Sequence, residues 1–262
     1  MVKQLAFQLE DSGSTPTSPL HYSHQYNIRL QSSKQYGNTI FPNTLFPIKT
    51  SDINTNLSDA TVKEIDFETS SKIIEEYEWL GTMPTFCTHH YGIYFDNICG
   101  GVVVYGISLP QPVFDSICGV EFGNKVRVLS RGACVYWTPI GSASKLISVS
   151  LRMLKKEGYK IIIAYCDTRA GEIGTIYQAC NFIYTGVSEG GNEYLIENKW
   201  RTGIGASEYS HEKRNLNDYE NRKRSIKHRY IYLLGTPSEH KLLLSKLRYP
   251  QLPYPKRNIF TI

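Results

Sequence analysis

The sequence predicts an α/β fold in which a single mixed β-sheet is flanked by helices. Three observations predict it. β-rich runs recur between residues 61 and 198, helix-like apolar spacing separates some of them, and the apolar run Lys160–Cys166 follows directly on the longer helical segment. Alternation over Thr61–Phe67 marks a first strand. Thr69 and Ser70 have N-cap chemistry and open a helix through Ile73, Ile74 and Tyr77 that ends near Gly81. Tyr91–Asp96 and Ile98–Ile107 flank Asp96 and Asn97, a turn pair that makes them an antiparallel hairpin. Lys125–Arg131 is a further strand, extendable through Ala133–Trp137. Apolar positions 146, 147, 149, 151 and 154 place a helix over Ser142–Glu157, and Gly158 stops it. Lys160–Cys166 then reads as a buried strand ending on Asp167. Gly174 and Thr175 open a short helix through Asn181, and Phe182–Val187 and Glu193–Asn198 complete the strands.

Of the 262 residues 41% are hydrophobic and 20% charged, which excludes global disorder. Apolar runs such as Gly101–Tyr105 and Ile161–Tyr165 are too short to cross a bilayer, so no membrane partner is expected. The first eleven residues hold no signal-like apolar stretch or small-residue cleavage site, and six cysteines stand without a CxxC pair. A cytoplasmic protein with reduced thiols is the expectation. Residues 1–60, rich in Ser, Thr, Asn, Gln and Pro, read as an irregular arm anchored by Ile40, Phe41, Leu45, Phe46 and Ile48. Residues 61–198 form the folded domain of this reading, and 199–262 a basic extension. That extension holds 14 Lys/Arg against 5 Asp/Glu, while the first 198 residues hold 15 against 19. Such asymmetry points to a polyanion, most often nucleic acid. The densest run supplies Arg222, Lys223, Arg224, Lys227 and Arg229 to neutralise phosphates, with Tyr219, Tyr230 and Tyr232 interleaved as stacking surfaces. A solvated basic tail is the plainer alternative.

The element order, with the spacing of Tyr177 and Phe182 on either side of Asn181, resembles the GNAT acyltransferases. Their helix pattern ends in glycine and phenylalanine where this chain has Asn181 and Phe182. The turn and helix start at Gly141, Ser142, Ala143, Ser144 and Lys145 sit where that fold holds a pyrophosphate, and a helix N-terminus offers free N–H groups to an anion. The family's basic residue and closely spaced glycines are replaced here by one glycine and two serines. A narrower resemblance rests on Glu78-Trp-Leu-Gly-Thr-Met83, Leu129-Ser-Arg131, Ser142-Ala-Ser-Lys-Leu146 and Gly174-Thr-Ile-Tyr-Gln-Ala179. These residues look like the phage Mom family. That resemblance implies a GNAT-like fold and an anti-restriction DNA modification, the transfer of a carbamoylmethyl (methylcarbamoyl-type) group to adenine N6 in the host cytoplasm. It implies as partner double-stranded or transiently unpaired DNA. The donor stays open between acetyl-CoA and a glycyl or other aminoacyl unit, for which tRNA is the natural carrier.

Adenine N6 is a delocalised amine, so a transferase needs a proton acceptor, donors toward the leaving unit and close positioning. Asp167, at a strand end, either orients the amine as base or caps the following turn. The resemblance gives Tyr177 the part of the acid that protonates the leaving group; otherwise it is a core aromatic. Ser142 and Ser144 serve as N-caps or as donors to the donor substrate. Glu78 is a candidate base and Trp79 a candidate stacking partner for a flipped adenine, with Arg131 at the nucleic acid and Tyr94 as a further catalytic candidate. His89 and His90 point to opposite faces of a strand, which leaves at most one of them to join Asp167 and water around iron. The rival readings are a GNAT N-acetyltransferase of a small or protein amine and a catalytically inert nucleic-acid-binding protein.

Overall fold

Asp96 and Asn97 both adopt positive φ, 45° and 71°, the geometry that joins strands by a two-residue turn whose twist matches theirs. The hairpin that results, β2 (Cys87–Phe95) and β3 (Ile98–Gly106), is the widest contact of the fold. The computed structural model describes residues 53–256 apart from 79, 136, 169–170, 197 and 203–217. The arm's expected anchors at 40–48 lie outside the described residues; its described end puts Ile53, Leu57 and Ala60 against the core.

Strand β1 (Thr61–Glu64) pairs with β2, and β4 (Val126–Cys134) with β3. Strand β5 (Ile161–Asp167) lies parallel to β4, and β6 (Ile183–Ser188) is an outer strand. Between β5 and β6 runs β10 (Lys227–Leu233), antiparallel to both, giving the order β1-β2-β3-β4-β5-β10-β6. The basic extension expected from 199 onward is therefore not separable. Its run 227–233 is an interior strand, with Tyr230 and Ile231 fully buried. A charged run hides such a strand because its alternate residues face opposite ways. The expected mixed sheet flanked by helices is present, and beside it β7 (Asn192–Ile196) forms a smaller three-stranded sheet with β8 (Lys199–Thr202) and β9 (Asn221–Lys223).

Helix α1 (Phe67–Tyr77) starts three residues earlier than expected, because the Asp66 carboxylate caps it by accepting from the Thr69 N–H at 2.6 Å. Helix α4 (Ser142–Lys156) and the short α5 (Thr175–Ala179) fall where the spacing placed them. Three helices had no counterpart in the sequence reading. α2 (Gln111–Cys118) and α3 (Val120–Gly123) fill the β3–β4 connection, and α6 (Pro237–Lys246) opens with a Thr236/Glu239 capping box. Buried residues of β5 alternate between two layers. Ile162 and Ala164 pack with Leu146, Leu151 and Leu154 of α4, whereas Ile161 and Ile163 pack with Phe114 and Ile117 of α2 and Leu243 of α6. Among the described residues no helix is long and apolar enough to cross a membrane.

Candidate active site

Strands β4 and β5 pair only from Val126↔Ile161 to Leu129↔Ala164. Beyond that point β4 follows β3 as far as Cys134 and β5 follows β10 as far as Asp167. Their divergence opens a cleft at the C-terminal end of the parallel pair, the place where open α/β sheets bind ligands.

Three carboxylates meet there. Glu78 follows α1, and its side chain is only 10% exposed; it accepts the Leu80 N–H at 2.8 Å and lies 3.9 Å from Nε of Arg131. Burial pushes its carboxyl up, and the Arg131 guanidinium opposes that rise. Asp167, 9% exposed at the end of β5, accepts a 2.6 Å hydrogen bond from Ser225 Oγ. Glu172, in the loop between β5 and α5, completes the group. Burial first, then the neighbouring charges of Glu78 and Asp167, raise its carboxyl to about 7. Cys166 is lifted to about 12 by burial and by the charges of Glu172 and Asp167, which leaves it a neutral thiol. The sequence reading missed Glu172; a carboxylate in the loop after a strand that ends on Asp167 was its only signal.

Tyr177 reaches the same cluster. Its ring packs on Phe182 and Tyr230, with centroids 5.5 and 5.4 Å away. Burial, with Cys166 and Glu172 nearby, holds the phenol well above its ordinary value. The phenol is therefore held in its protonated form at the cluster, with a proton to share or to give.

Other expected site residues are placed elsewhere. Tyr94 sits under the Lys63 ammonium, 4.1 Å from its ring centre, beside Asp66 and Cys99 and away from the cleft. Arg131 faces the cleft, and its Nε donates to the Thr82 carbonyl at 3.0 Å, so it braces the loop after α1. Trp79 lies outside the described residues. Tyr230 is fully buried, and Arg229 donates to the Thr185 hydroxyl and carbonyl while stacking on Tyr249 at 3.7 Å; neither is free to meet DNA. Lys227 is half-buried opposite Asp167. Arg222 and Lys223 are exposed on β9, although Arg222 and Arg224 both approach Glu193, at 3.0 and 3.5 Å.

The iron reading is not met. His89 bonds Glu157 at 2.9 Å and His90 bonds Ser70 at 2.7 Å, both remote from Asp167, and no metal-binding group of three appears among the described residues. At the start of α4, Gly141 has φ 98° and gives no side-chain cap. Ser142 is buried and donates to the Pro139 carbonyl at 2.6 Å, which engages its hydroxyl hydrogen within the turn. Ser144 lies beside the Cys180 thiol. Lys145 donates to the carbonyls of Leu57 and Ser58, at 2.6 and 3.3 Å, so its charge is tied to the arm's end. The backbone N–H groups of Ala143 and Ser144 in this first turn suit a phosphate, while the turn's one cation is engaged.

The fold is similar to several solved acetyltransferases. An N-acetyltransferase from Staphylococcus aureus Mu50 is 13% identical, with 68% of this chain and 99% of that chain covered at a TM-score of 0.41. A probable acetyltransferase from Staphylococcus epidermidis ATCC 12228 is 8% identical, covering 67% and 99% at 0.41. A putative acetyltransferase, yncA, from Salmonella typhimurium, solved with acetyl-CoA, is 10% identical, covering 67% and 94% at 0.40. No curated protein matches the chain. Residues 59–256 span every strand of both sheets and all three cleft carboxylates; they match the model of the Mom protein family, and the chain belongs to that family.

Proposed function

We propose that this Mom-family chain is a transferase that places a carbamoylmethyl-type group on N6 of adenine in DNA, with Glu172 as the base. The observation that carries the reading is the Glu172 carboxyl, raised to about 7 in a cleft with Asp167, Glu78 and Tyr177. A base of that strength is half in its accepting form near neutrality and matched to taking a proton from an amine as it attacks. Tyr177 offers its O–H to the oxygen that gains charge, and the buried Glu78–Arg131 pair holds the cleft wall in place. A CoA-type or aminoacyl donor would supply an activated carbonyl; attack there forms an N6–C(O) bond and expels the thiol or the tRNA hydroxyl. A glycyl unit attached in this way is an isomer of the carbamoylmethyl group and reaches it only by a rearrangement moving N6 from the carbonyl to the methylene carbon. The N–H groups of Ala143 and Ser144 would hold the donor's phosphate.

DNA as acceptor is supported by the attachment of the basic strand to the cleft. Ser225 donates to Asp167, and the Ile226 carbonyl accepts from both the N–H and the hydroxyl of Thr168, so the short link from β9 to β10 is fastened at the rim. A flipped adenine would enter beside it. Replacing Arg222 and Lys223 together by alanine is expected to weaken DNA binding for all sequences. The slope of log affinity against log salt should fall by about two. An unchanged slope in a fluorescence anisotropy titration would remove β9 from the interface.

A second reading is favoured by the three carboxylates themselves, since an acidic cleft suits a cationic amine. It makes the chain an acetyltransferase of a small or protein amine. Nucleoside mass spectrometry of DNA from cells expressing the chain, beside Glu172→Gln, separates the two. Deoxyadenosine heavier by a carbamoylmethyl group, absent with the variant, supports the first reading. An acetyl increment on deoxyadenosine would mean direct acyl transfer to DNA. Unmodified DNA alongside soluble, acetyl-CoA-binding protein would transfer the case to the amine.

A further inference from the structure

The loop that carries Glu172 is held at its start by Thr168 on the Ile226 carbonyl and at its end by the Ile173 carbonyl. Residues 168–174 join β5 to the five-residue helix α5, and the Ile173 carbonyl in that loop accepts two hydrogen bonds. One comes from Gln178 Nε2 at 2.9 Å and the other from the Tyr230 hydroxyl. The Gln178 amide also donates to the Tyr230 oxygen at 3.1 Å, which closes a triangle of Ile173, Gln178 and Tyr230. Gly174 lies on the face of the Tyr230 ring with φ 71°, and a Cβ there would stand 2.4 Å from Cε2. Loop and ring are therefore in contact along the backbone as well as through the hydroxyl.

Tyr230 in turn is closely packed. It is fully buried in an interior strand, and its ring lies 5.4 Å from Tyr177 and 5.2 Å from Tyr184. From behind, the chain segment after α6 holds the same triangle. Pro255 presents its carbonyl to Gln178 at 3.4 Å, Tyr254 donates to the Phe182 carbonyl at 2.8 Å, and the Leu252 N–H donates to the Tyr184 carbonyl at 2.9 Å. Four parts of the chain thus converge behind the loop, and none of these bonding groups belongs to the cleft carboxylates.

We propose that Tyr230 and Gln178 are positioning residues for the reaction. Joined at the Ile173 carbonyl, they fix the loop end 171–174 and with it the direction in which Glu172 presents its carboxylate between Glu78, Asp167 and Tyr177. The proposal rests on the reading of Glu172 as the base. Its physical basis is that Ile173 directly follows Glu172, so the bonds that hold the Ile173 carbonyl fix the backbone from which the Glu172 side chain starts, and a displacement of about 1 Å at a base costs on the order of a hundredfold in rate.

The test uses the full chain with Tyr230→Phe, which keeps the ring and deletes the hydroxyl, and Gln178→Met, which keeps length and deletes the amide at a half-buried position. Two readouts are taken: carboxyl 13C titration of Glu172, and the pH profile of the rate with KM for the DNA acceptor. Expected are native circular dichroism, a Glu172 midpoint displaced by about half a unit or more, kcat lower by about ten- to a hundredfold, and KM within about twofold. In a Glu172→Gln background neither variant should slow the residual rate further. Folded variants that leave the Glu172 midpoint unchanged, or that lower the rate equally with and without Glu172, would overturn the positioning role while the base stands. If Tyr230→Phe does not fold, the Gln178→Met result decides alone. A wild-type Glu172 that titrates in the ordinary carboxylate range overturns the base and the positioning role together.

Discussion

Glu172→Gln is expected to lower the rate of modification by about 10²–10⁴-fold and, at alkaline pH, to make the protein more stable. The two effects have one cause. The Glu172 carboxyl has an ordinary value of 4.5 and is raised to about 7 in the fold, so the native state holds its proton more tightly than the unfolded chain does. That stabilising contribution is complete below pH 4.5 and is lost as pH rises through 7. Above that, the charged side chain costs on the order of 3 kcal/mol, which glutamine does not incur. Thermal unfolding at pH 5 and pH 8.5 checks this: the variant should match the wild type at the lower pH and melt higher at the upper one. Equal melting at both would mean that Glu172 is solvated and unsuited to its proposed part.

A chain ending at Asn198 is expected not to fold. Sequence composition makes 199–262 look like an appendage, yet it contains the strand between β5 and β6. Truncation leaves two unpaired strand edges and removes the buried side chains of Tyr230, Ile231 and Leu233, each worth about 1.5–3 kcal/mol of burial. Their sum is of the size of a domain's whole stability, about 5–15 kcal/mol. Aggregation, or a collapsed amide spectrum from any soluble fraction, is the expected outcome. A dispersed spectrum from the truncated chain would restore the separable extension.

Local signals in the sequence were reliable where one residue type has a strong backbone preference. Asp96 and Asn97 marked the hairpin, Gly158 ended α4, and Gly174 opened α5, each through positive φ. Burial patterning located β5 and α4 within about a residue. What the sequence hid depends on partners far along the chain. Strand β10 reads as basic because Lys227 and Arg229 alternate with His228 and Tyr230, and only pairing with residues 161–167 shows which face is buried. Helix α6 carries its leucines consecutively at 242–244, which gives no single apolar stripe. At the site, Asp167, Tyr177 and Glu78 were legible as polar groups at element ends, and they do converge. Glu172 was not, because its raised affinity for a proton comes from burial and from two carboxylates that only the fold brings around it. Tyr94, Arg229 and Tyr230 were misplaced for the converse reason: aromatic and cationic side chains serve strands as readily as ligands.

The place of β10 also orders events during synthesis. Strands β1 to β5 emerge in sequence and can pair as they come, β1 through β4 antiparallel and β5 against β4. Strand β6 emerges next with no neighbour available, since the position beside it belongs to residues more than forty positions further on. Until Leu233 has left the ribosome, β5 and β6 stand apart, and the Tyr230 hydroxyl that grips the Glu172 loop does not yet exist. The last quarter of the chain thus acts as a timer: a nascent protein on its ribosome holds the cleft residues but not their arrangement, which forms only with the completed strand.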